Sequence, residues 1–160
     1  MTSDFSIRSA TPADVAAIHG MIVELAEFEQ LAHLVIATEA LLHDSLFGAH
    51  PACEALVGEA DGQVVCFALF FHNYSTFLAR KGLYLEDLYV QQAHRGKGYG
   101  KAMLVALARL ARERNCGRFE WSVLDWNENA IHFYESVGAD VMPDWRICRV
   151  AGDALEKLAR

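Results

Sequence analysis

The stretch Val90-Gln91-Gln92-Ala93-His94-Arg95-Gly96-Lys97-Gly98-Tyr99-Gly100-Lys101 decides how the chain is read. An apolar, strand-like run, Leu83 to Val90, leads into it. A helical pattern leads out of it, from Gly98 to Asn115, with Leu104, Leu107, Leu110 and Ala111 as the buried stripe. Arg109, Arg112 and Arg114 crowd the C-terminal end of that helix, where its dipole favours cations, and Gly117 ends it. Glycines at 96, 98 and 100 let the backbone turn sharply and let a ligand approach closely. The helix N-terminus offers N–H groups without carbonyl partners in their own turn, which attracts an anion such as a pyrophosphate. Arg95, Lys97 and Lys101 add positive charge beside them. Two common phosphate-binding patterns do not fit. Gly-x-Gly-x-x-Gly would need Gly in place of Lys101, and a P-loop would need Gly at Arg95 and Ser or Thr at Ala102. A cradle spelled Arg-Gly-x-Gly-x-Gly remains, beside the plainer reading of a flexible connection with solvated charges.

Working outward, Phe5 to Arg8 reads as a strand. Thr11-Pro12-Ala13-Asp14 opens a helix that Val15, Ile18, Ile22, Leu25 and Phe28 carry to about Glu29. Thr38 to Leu42 starts a shorter helix. Ala55 to Glu59 and Val64 to Phe71 are strands joined by the hairpin signal Asp61-Gly62, and a loop from His72 to Gly82 precedes the Leu83 to Val90 strand. After the long helix come a strand, Arg118 to Leu124, a helix, Asn127 to Val137, and a final strand, Trp145 to Val150. No repeat, low-complexity tract or linker interrupts this order, which predicts one α/β domain over residues 1–160, layered around a mixed sheet.

The chain has 160 residues, 53% of them hydrophobic, with 14 basic and 21 acidic side chains for a net charge of −7. That is enough apolar material for one core, and it excludes wholesale disorder. The acidity argues against a sequence-independent grip on nucleic acid and against attraction to anionic membranes, while favouring a cationic partner. Cys53, Cys66, Cys116 and Cys148 lack metal-ligand spacing, so neither a metal site nor a disulfide framework is expected. No signal peptide and no membrane-spanning run is apparent, and the expected location is the cytoplasm.

Two carboxylates, Glu86 and Asp87, interrupt an otherwise apolar strand. Strict alternation would put Glu86 on the face of Tyr84, Leu88 and Val90, and Asp87 on the face of Leu85 and Tyr89. Burying an unpaired carboxylate is costly, so the pair marks either a functional site or a bulge or strand end that reaches water. Farther on, Ile131, Tyr134 and Val137 recur every three residues, and by spacing alone Tyr134 reads as core packing. Asp125 with Glu128, or else Asn127, caps that helix.

Arg95-Gly96-Lys97-Gly98-Tyr99-Gly100 resembles the acetyl-coenzyme A loop of the GNAT superfamily of N-acetyltransferases. Leu83-Tyr84-Leu85-Glu86-Asp87-Leu88-Tyr89-Val90, Leu124-Asp125-Trp126-Asn127 and His132-Phe133-Tyr134-Glu135-Ser136-Val137-Gly138-Ala139 narrow the resemblance to the diamine acetyltransferases. These include spermidine/spermine acetyltransferase and its thialysine-acetylating relative. The resemblance runs from Ile7-Arg8 to Trp145-Arg146. It implies a three-layer α/β fold with a central mixed, mostly antiparallel sheet flanked by helices, and acetyl-CoA as co-substrate without a metal. It implies coenzyme contacts along Leu88, Tyr89 and Val90, at Arg95, Gly96, Lys97, Gly98, Tyr99, Gly100 and Lys101, and at Asn127, Glu128, Asn129 and Ala130. Glu86 would aid deprotonation of an amine, and Tyr134 would protonate the leaving thiolate. Phe28, Glu29, Glu86, Asp87, Glu120, Trp121, Ser122 and Asp144 would contact a small cationic amine, and the assembly would be a homodimer. One departure bears on the substrate. The polyamine-specific enzymes carry Tyr-Asp-Pro-Trp before the Tyr-Leu-Glu-Asp strand, whereas this chain has Tyr74-Ser75-Thr76-Phe77. The missing acid favours a shorter diamine or a lysine-like amino acid, as in the thialysine branch.

Overall fold

The computed structural model describes residues 4–160. The chain divides into two compact units, one ending at Ser122 and one running from Val123 to Arg160. The first holds a five-stranded sheet in the order β1 (Phe5–Ser9), β2 (Glu54–Ala60), β3 (Gln63–Ser75), β4 (Arg80–Val90) and β5 (Phe119–Trp121). The first four strands are antiparallel neighbours, and β5 joins β4 in parallel. The sheet is therefore mixed and mostly antiparallel, as expected. A parallel neighbour requires a crossover, and helix α3 (Tyr99–Glu113) supplies it.

Side-chain alternation sorts the core into two layers. Ala55, Val57, Phe67 and Tyr89 share a cluster with Val15, Ile18 and Met21 of α1 (Val15–Phe28) and with Leu42 and Leu46 of α2 (Glu39–Phe47). On the other face Cys66, Ala68, Phe70, Leu83 and Leu85 are buried, and α3 packs over β1 to β4 with Met103, Leu104, Leu107 and Ala111 inward. The helix starts follow the capping chemistry read from sequence. Leu41 N donates to Thr38 Oγ1 at 3.2 Å, and Asp14 accepts from Thr11 N at 2.7 Å. Asp14, only 5% exposed, is also held by Arg8 Nη1 at 2.7 Å and Nη2 at 2.9 Å. The guanidinium draws its carboxyl down to about 2, well below the ordinary range.

Gly58 sets the position of α3. A Cβ there would come within 2.3 Å of Cys66 Sγ and 2.7 Å of the Phe5 ring. Without it, Phe5 lies flat on the sheet and stacks on Tyr99, with ring centroids 3.9 Å apart and planes 5° from parallel. Tyr99 is the first residue of α3, so this stack fixes the helix start that follows the glycine loop. Gly58→Ala is expected to lower stability by ~1–3 kcal/mol, as overpacking does, measured by urea denaturation.

Three sequence expectations change. The loop expected from His72 to Gly82 is mostly sheet: β3 and β4 extend to within four residues of each other, and the Ser75 hydroxyl accepts from Leu78 N at 3.2 Å to hold the turn. The strand expected at Arg118 to Leu124 is shorter, Phe119–Trp121. The strand expected at Trp145 to Val150 does not form. In the second unit these residues are exposed and lie between α4 (Glu128–Ser136) and a helix not foreseen, α5 (Gly152–Leu158). A strand needs a hydrogen-bonded partner, and no strand of the described chain pairs with this segment.

Candidate active site

Strand β4 carries the centre of the site. Its register against β3 slips by one residue between Leu69 and Phe70: Leu69 faces Asp87, Phe70 faces Leu85, and Glu86 is the extra residue of a β-bulge. The bulge breaks the expected alternation on its N-terminal side, while Asp87 keeps the face of Tyr89. Asp87 now lies on the face of Tyr84 and Tyr89, toward α1, while Leu88 and Val90 share the face of Leu85. Glu86 is exposed and Asp87 is half-buried. The strand thus bulges at Glu86, as one sequence reading allowed, and Glu86 is the more exposed of the two carboxylates.

Asp87 feels the consequence. Burial, and then the charges of Glu86 and Glu29, push its carboxyl up to about 6. Glu29 closes the C-terminal end of α1, and partial burial raises its carboxyl too. Three carboxylates are therefore gathered where α1 ends against β4.

The edge of β4 beyond the bulge is open on one side. Pairing with β5 covers only Leu83 to Leu85. Gln91 N donates to Val65 O at 2.9 Å, so Asp87 and Tyr89 turn their backbone groups to β3, and Leu88 and Val90 turn theirs to the side that β5 leaves uncovered. On the sheet floor beside this opening, Tyr84 Oη and Ser122 Oγ share a hydrogen bond of 2.8 Å. Asn73 Nδ2 reaches across Gly82 to donate to Glu120 Oε1 at 3.3 Å, and Arg118 Nε lies 3.1 Å from the same oxygen. Tyr84, Asn73 and Arg118 were not foreseen as site residues. Tyr84 stands in the quoted Tyr-Leu-Glu-Asp run, but only the strand register shows that it meets Ser122.

At the end of β4 the chain enters the glycine loop. Gly96 and Gly98 have φ of +78° and +81°, the left-handed region that favours glycine. A Cβ on either would meet nothing within 4 Å, so both border open space at the start of α3. Gly98 is the N-cap residue, and no side chain caps the helix. The local structure thus has what an anion needs: uncapped N–H groups, room for close approach, and Lys97 and Lys101 on the loop and first turn. The pyrophosphate of a coenzyme fits that donor set. The Arg95 side chain turns elsewhere. Its Nε donates to Val90 O at 3.0 Å, and its guanidinium lies 5.4 Å from both the Phe28 and Tyr89 ring centres.

In the second unit Asn127 is the cap of α4, with Oδ1 accepting from Ala130 N at 3.3 Å, which decides between the two capping readings. Tyr134 is half-buried, tilted against Phe133 with centroids 5.6 Å apart. Glu128 and Asn129 lie on the first turn of α4, and Asp144 is exposed in the segment before α5. Within the first unit, then, the structure gathers Phe28, Glu29, Glu86, Asp87, Tyr89, Arg95 and the glycine loop. Glu120, Trp121 and Ser122 line the neighbouring strand end. Tyr134, Asn127 to Ala130 and Asp144 belong to the second unit.

Residues 13–139 match the model of the acetyltransferase (GNAT) family. The chain belongs to that family. As a GNAT acetyltransferase it has relatives along its whole length. It is 38% identical to a thialysine N-epsilon-acetyltransferase of Mus musculus, over 96% of each chain. It is 36% identical to the L-ornithine N5-acetyltransferase NATA1 of Arabidopsis thaliana, over 95% of this chain and 86% of that protein. Among solved structures, the integron cassette protein VCH_CASS6 of V. cholerae superposes with a TM-score of 0.82 at 26% identity, covering 100% of this chain and 99% of that one. Among the described residues of this GNAT protein, no helix is long and apolar enough to cross a membrane.

Proposed function

We propose that the protein transfers the acetyl group of acetyl-CoA to a primary amine of a small diamine, polyamine or lysine-like amino acid, by direct attack in a ternary complex. The observation that carries this reading is the gathering of Glu29, Glu86 and Asp87 beside a glycine cradle in a GNAT chain. Relatives named for thialysine and L-ornithine support the substrate class. Both units serve one domain over residues 1–160, which the continuous family match across Ser122 supports.

An alkyl amine of pKa ~10.4 is almost wholly ammonium at neutral pH, so a proton must leave before attack. The carboxylates hold the cation, and Glu86, exposed and able to work through water, takes the proton. Phe28, Glu120, Trp121, Ser122 and Asp144 complete the amine side. Leu88 and Val90, on either side of Tyr89, offer the strand edge to the pantetheine arm, and a backbone N–H there donates to the thioester oxygen. The backbone of residues 95 to 101 with the Lys97 and Lys101 side chains, and Asn127, Glu128, Asn129 and Ala130, hold the rest of the coenzyme. Tyr134 gives its phenolic proton to the departing thiolate.

At position 75, where polyamine-specific relatives place an acid, the Ser75 hydroxyl is buried and occupied by the turn. That supports a short or amino-acid-like acceptor over spermine. Met142, Trp145, Ile147 and Val150 form an exposed apolar run in the second unit, and this supports a homodimer that covers it. The cytoplasm is the proposed location, which the four free cysteines support.

Thiol release from acetyl-CoA should be measured against thialysine, L-ornithine, L-lysine, putrescine, spermidine and spermine. Turnover is expected with the amino acids or short diamines and least with spermine. A panel without turnover sinks the substrate class, and faster acetylation of peptides or aminoglycosides moves the reading to those acceptors.

A further inference from the structure

Arg95 opens the glycine motif, and its charge invites assignment to the coenzyme's phosphates. Its side chain is committed differently. Nε donates to the carbonyl of Val90, the last residue of β4, on the edge that β5 leaves uncovered. The guanidinium then lies within cation–π reach of two rings, Phe28 from the last turn of α1 and Tyr89 from β4, at 5.4 Å from each centre, and its charge also reaches the Tyr89 hydroxyl. Three separate elements, the end of α1, the end of β4 and the glycine loop, are joined by this one planar group. Phe28 and its neighbour Glu29 form the α1 side of the carboxylate cluster.

We infer that Arg95 is a positioning residue for the amine: its side chain fixes Phe28 and the end of α1 against β4, while the loop meets the coenzyme through backbone N–H groups and its lysines. The inference rests on the reading of the site as an amine acetyltransferase and goes beyond it by moving a residue of the glycine motif to the acceptor side. The chemistry distinguishes the two roles. A planar guanidinium can face two rings and donate from several N–H groups at once, whereas a lysine ammonium is a point charge that can replace an electrostatic grip but not this bracket.

The test uses Arg95→Ala, Arg95→Lys, Phe28→Leu and the double variant Arg95→Ala/Phe28→Leu, all at exposed positions. Coenzyme A affinity is read by calorimetry and amine KM by steady-state assay, with the amine that the wild type turns over fastest. The expected result is an amine KM raised about tenfold in both Arg95 variants, with coenzyme affinity within about twofold of wild type. Phe28→Leu should act in the same direction, and the double variant should be no worse than the stronger single one, the mark of two groups acting as one unit. A loss of coenzyme affinity in Arg95→Ala that Arg95→Lys restores, with amine KM unchanged, overturns the inference and returns Arg95 to the phosphates. Additive effects of the Arg95 and Phe28 changes overturn it as well. A wild type that binds coenzyme A but turns over no amine removes the underlying reading instead, and the inference with it.

Discussion

Tyr134→Phe is expected to lower kcat by about a hundredfold, within a range of about tenfold to a thousandfold, while leaving amine KM nearly unchanged. In the proposed reaction the phenol acts when the thioester breaks, so its loss would be felt in turnover rather than in binding. A thiol of pKa ~8.5 leaves as a thiolate that needs a proton at neutral pH, and a phenol of pKa ~10 can supply it. Two further readings separate this role from packing. Above the thiol's pKa the leaving group no longer needs the proton, so the deficit should shrink as pH rises past ~8.5. An acetyl donor with a more acidic thiol should shrink it too. Because the aromatic ring is retained, the tilted contact with Phe133 survives. An unchanged rate at neutral pH removes Tyr134 from the chemistry.

Asp87→Asn should make the protein more stable and less active. The Asp87 carboxyl is held at about 6 in the fold against an ordinary 3.8, because burial and the charges of Glu86 and Glu29 disfavour its ionised form. A raised folded-state pKa means that the fold binds this proton more tightly than the unfolded chain does. Its contribution is fully present below the unfolded value and is lost as pH rises through about 6. At pH 8 the ionised group therefore burdens the fold by at most ~3 kcal/mol, an amount that solvent around the half-buried group reduces. Asparagine lifts that burden, so the variant should melt ~2–8 °C higher than wild type at pH 8 and no higher at pH 4, by calorimetry. On the proposed role of Asp87 in holding the cation, amine turnover should fall ~tenfold or more at every pH. A variant that gains no stability at pH 8 contradicts the burial account. A variant that gains stability and keeps full activity removes Asp87 from the amine site.

The loop-to-helix junction and most strands are legible in the sequence because each follows from local chemistry. Glycines at 96 and 98 demand positive φ, Thr38 caps, and the period of Leu104, Leu107 and Ala111 names the buried face of α3. What depends on pairing is not legible. The bulge at Glu86 exists only in the register between β3 and β4, and it alone decides which face Asp87 takes. Alternation counted from Leu85 puts Asp87 on the wrong face, and counted back from Tyr89 it puts Asp87 on the right one. The Trp145 to Val150 segment has a strand's composition without a strand's neighbour in the described chain. Arg95 carries a charge that suggests an anion, yet nothing in its own neighbourhood of sequence announces Phe28, which α1 brings from far away along the chain.

The short pairing of β5 leaves the side of β4 at Leu88 and Val90 without a neighbouring strand among the described residues. Neighbouring strands lie ~4.8 Å apart, and that spacing sets the width of what can be received there. A guest lying along Leu88 and Val90 has to be narrow and extended, with donors and acceptors at the rhythm of a peptide. A linear arm carrying amides meets that rule as though it were a missing stretch of strand, and a bulky or branched one does not. In the proposed reaction the acyl carrier would be held by the same geometry with which the protein builds its own sheet.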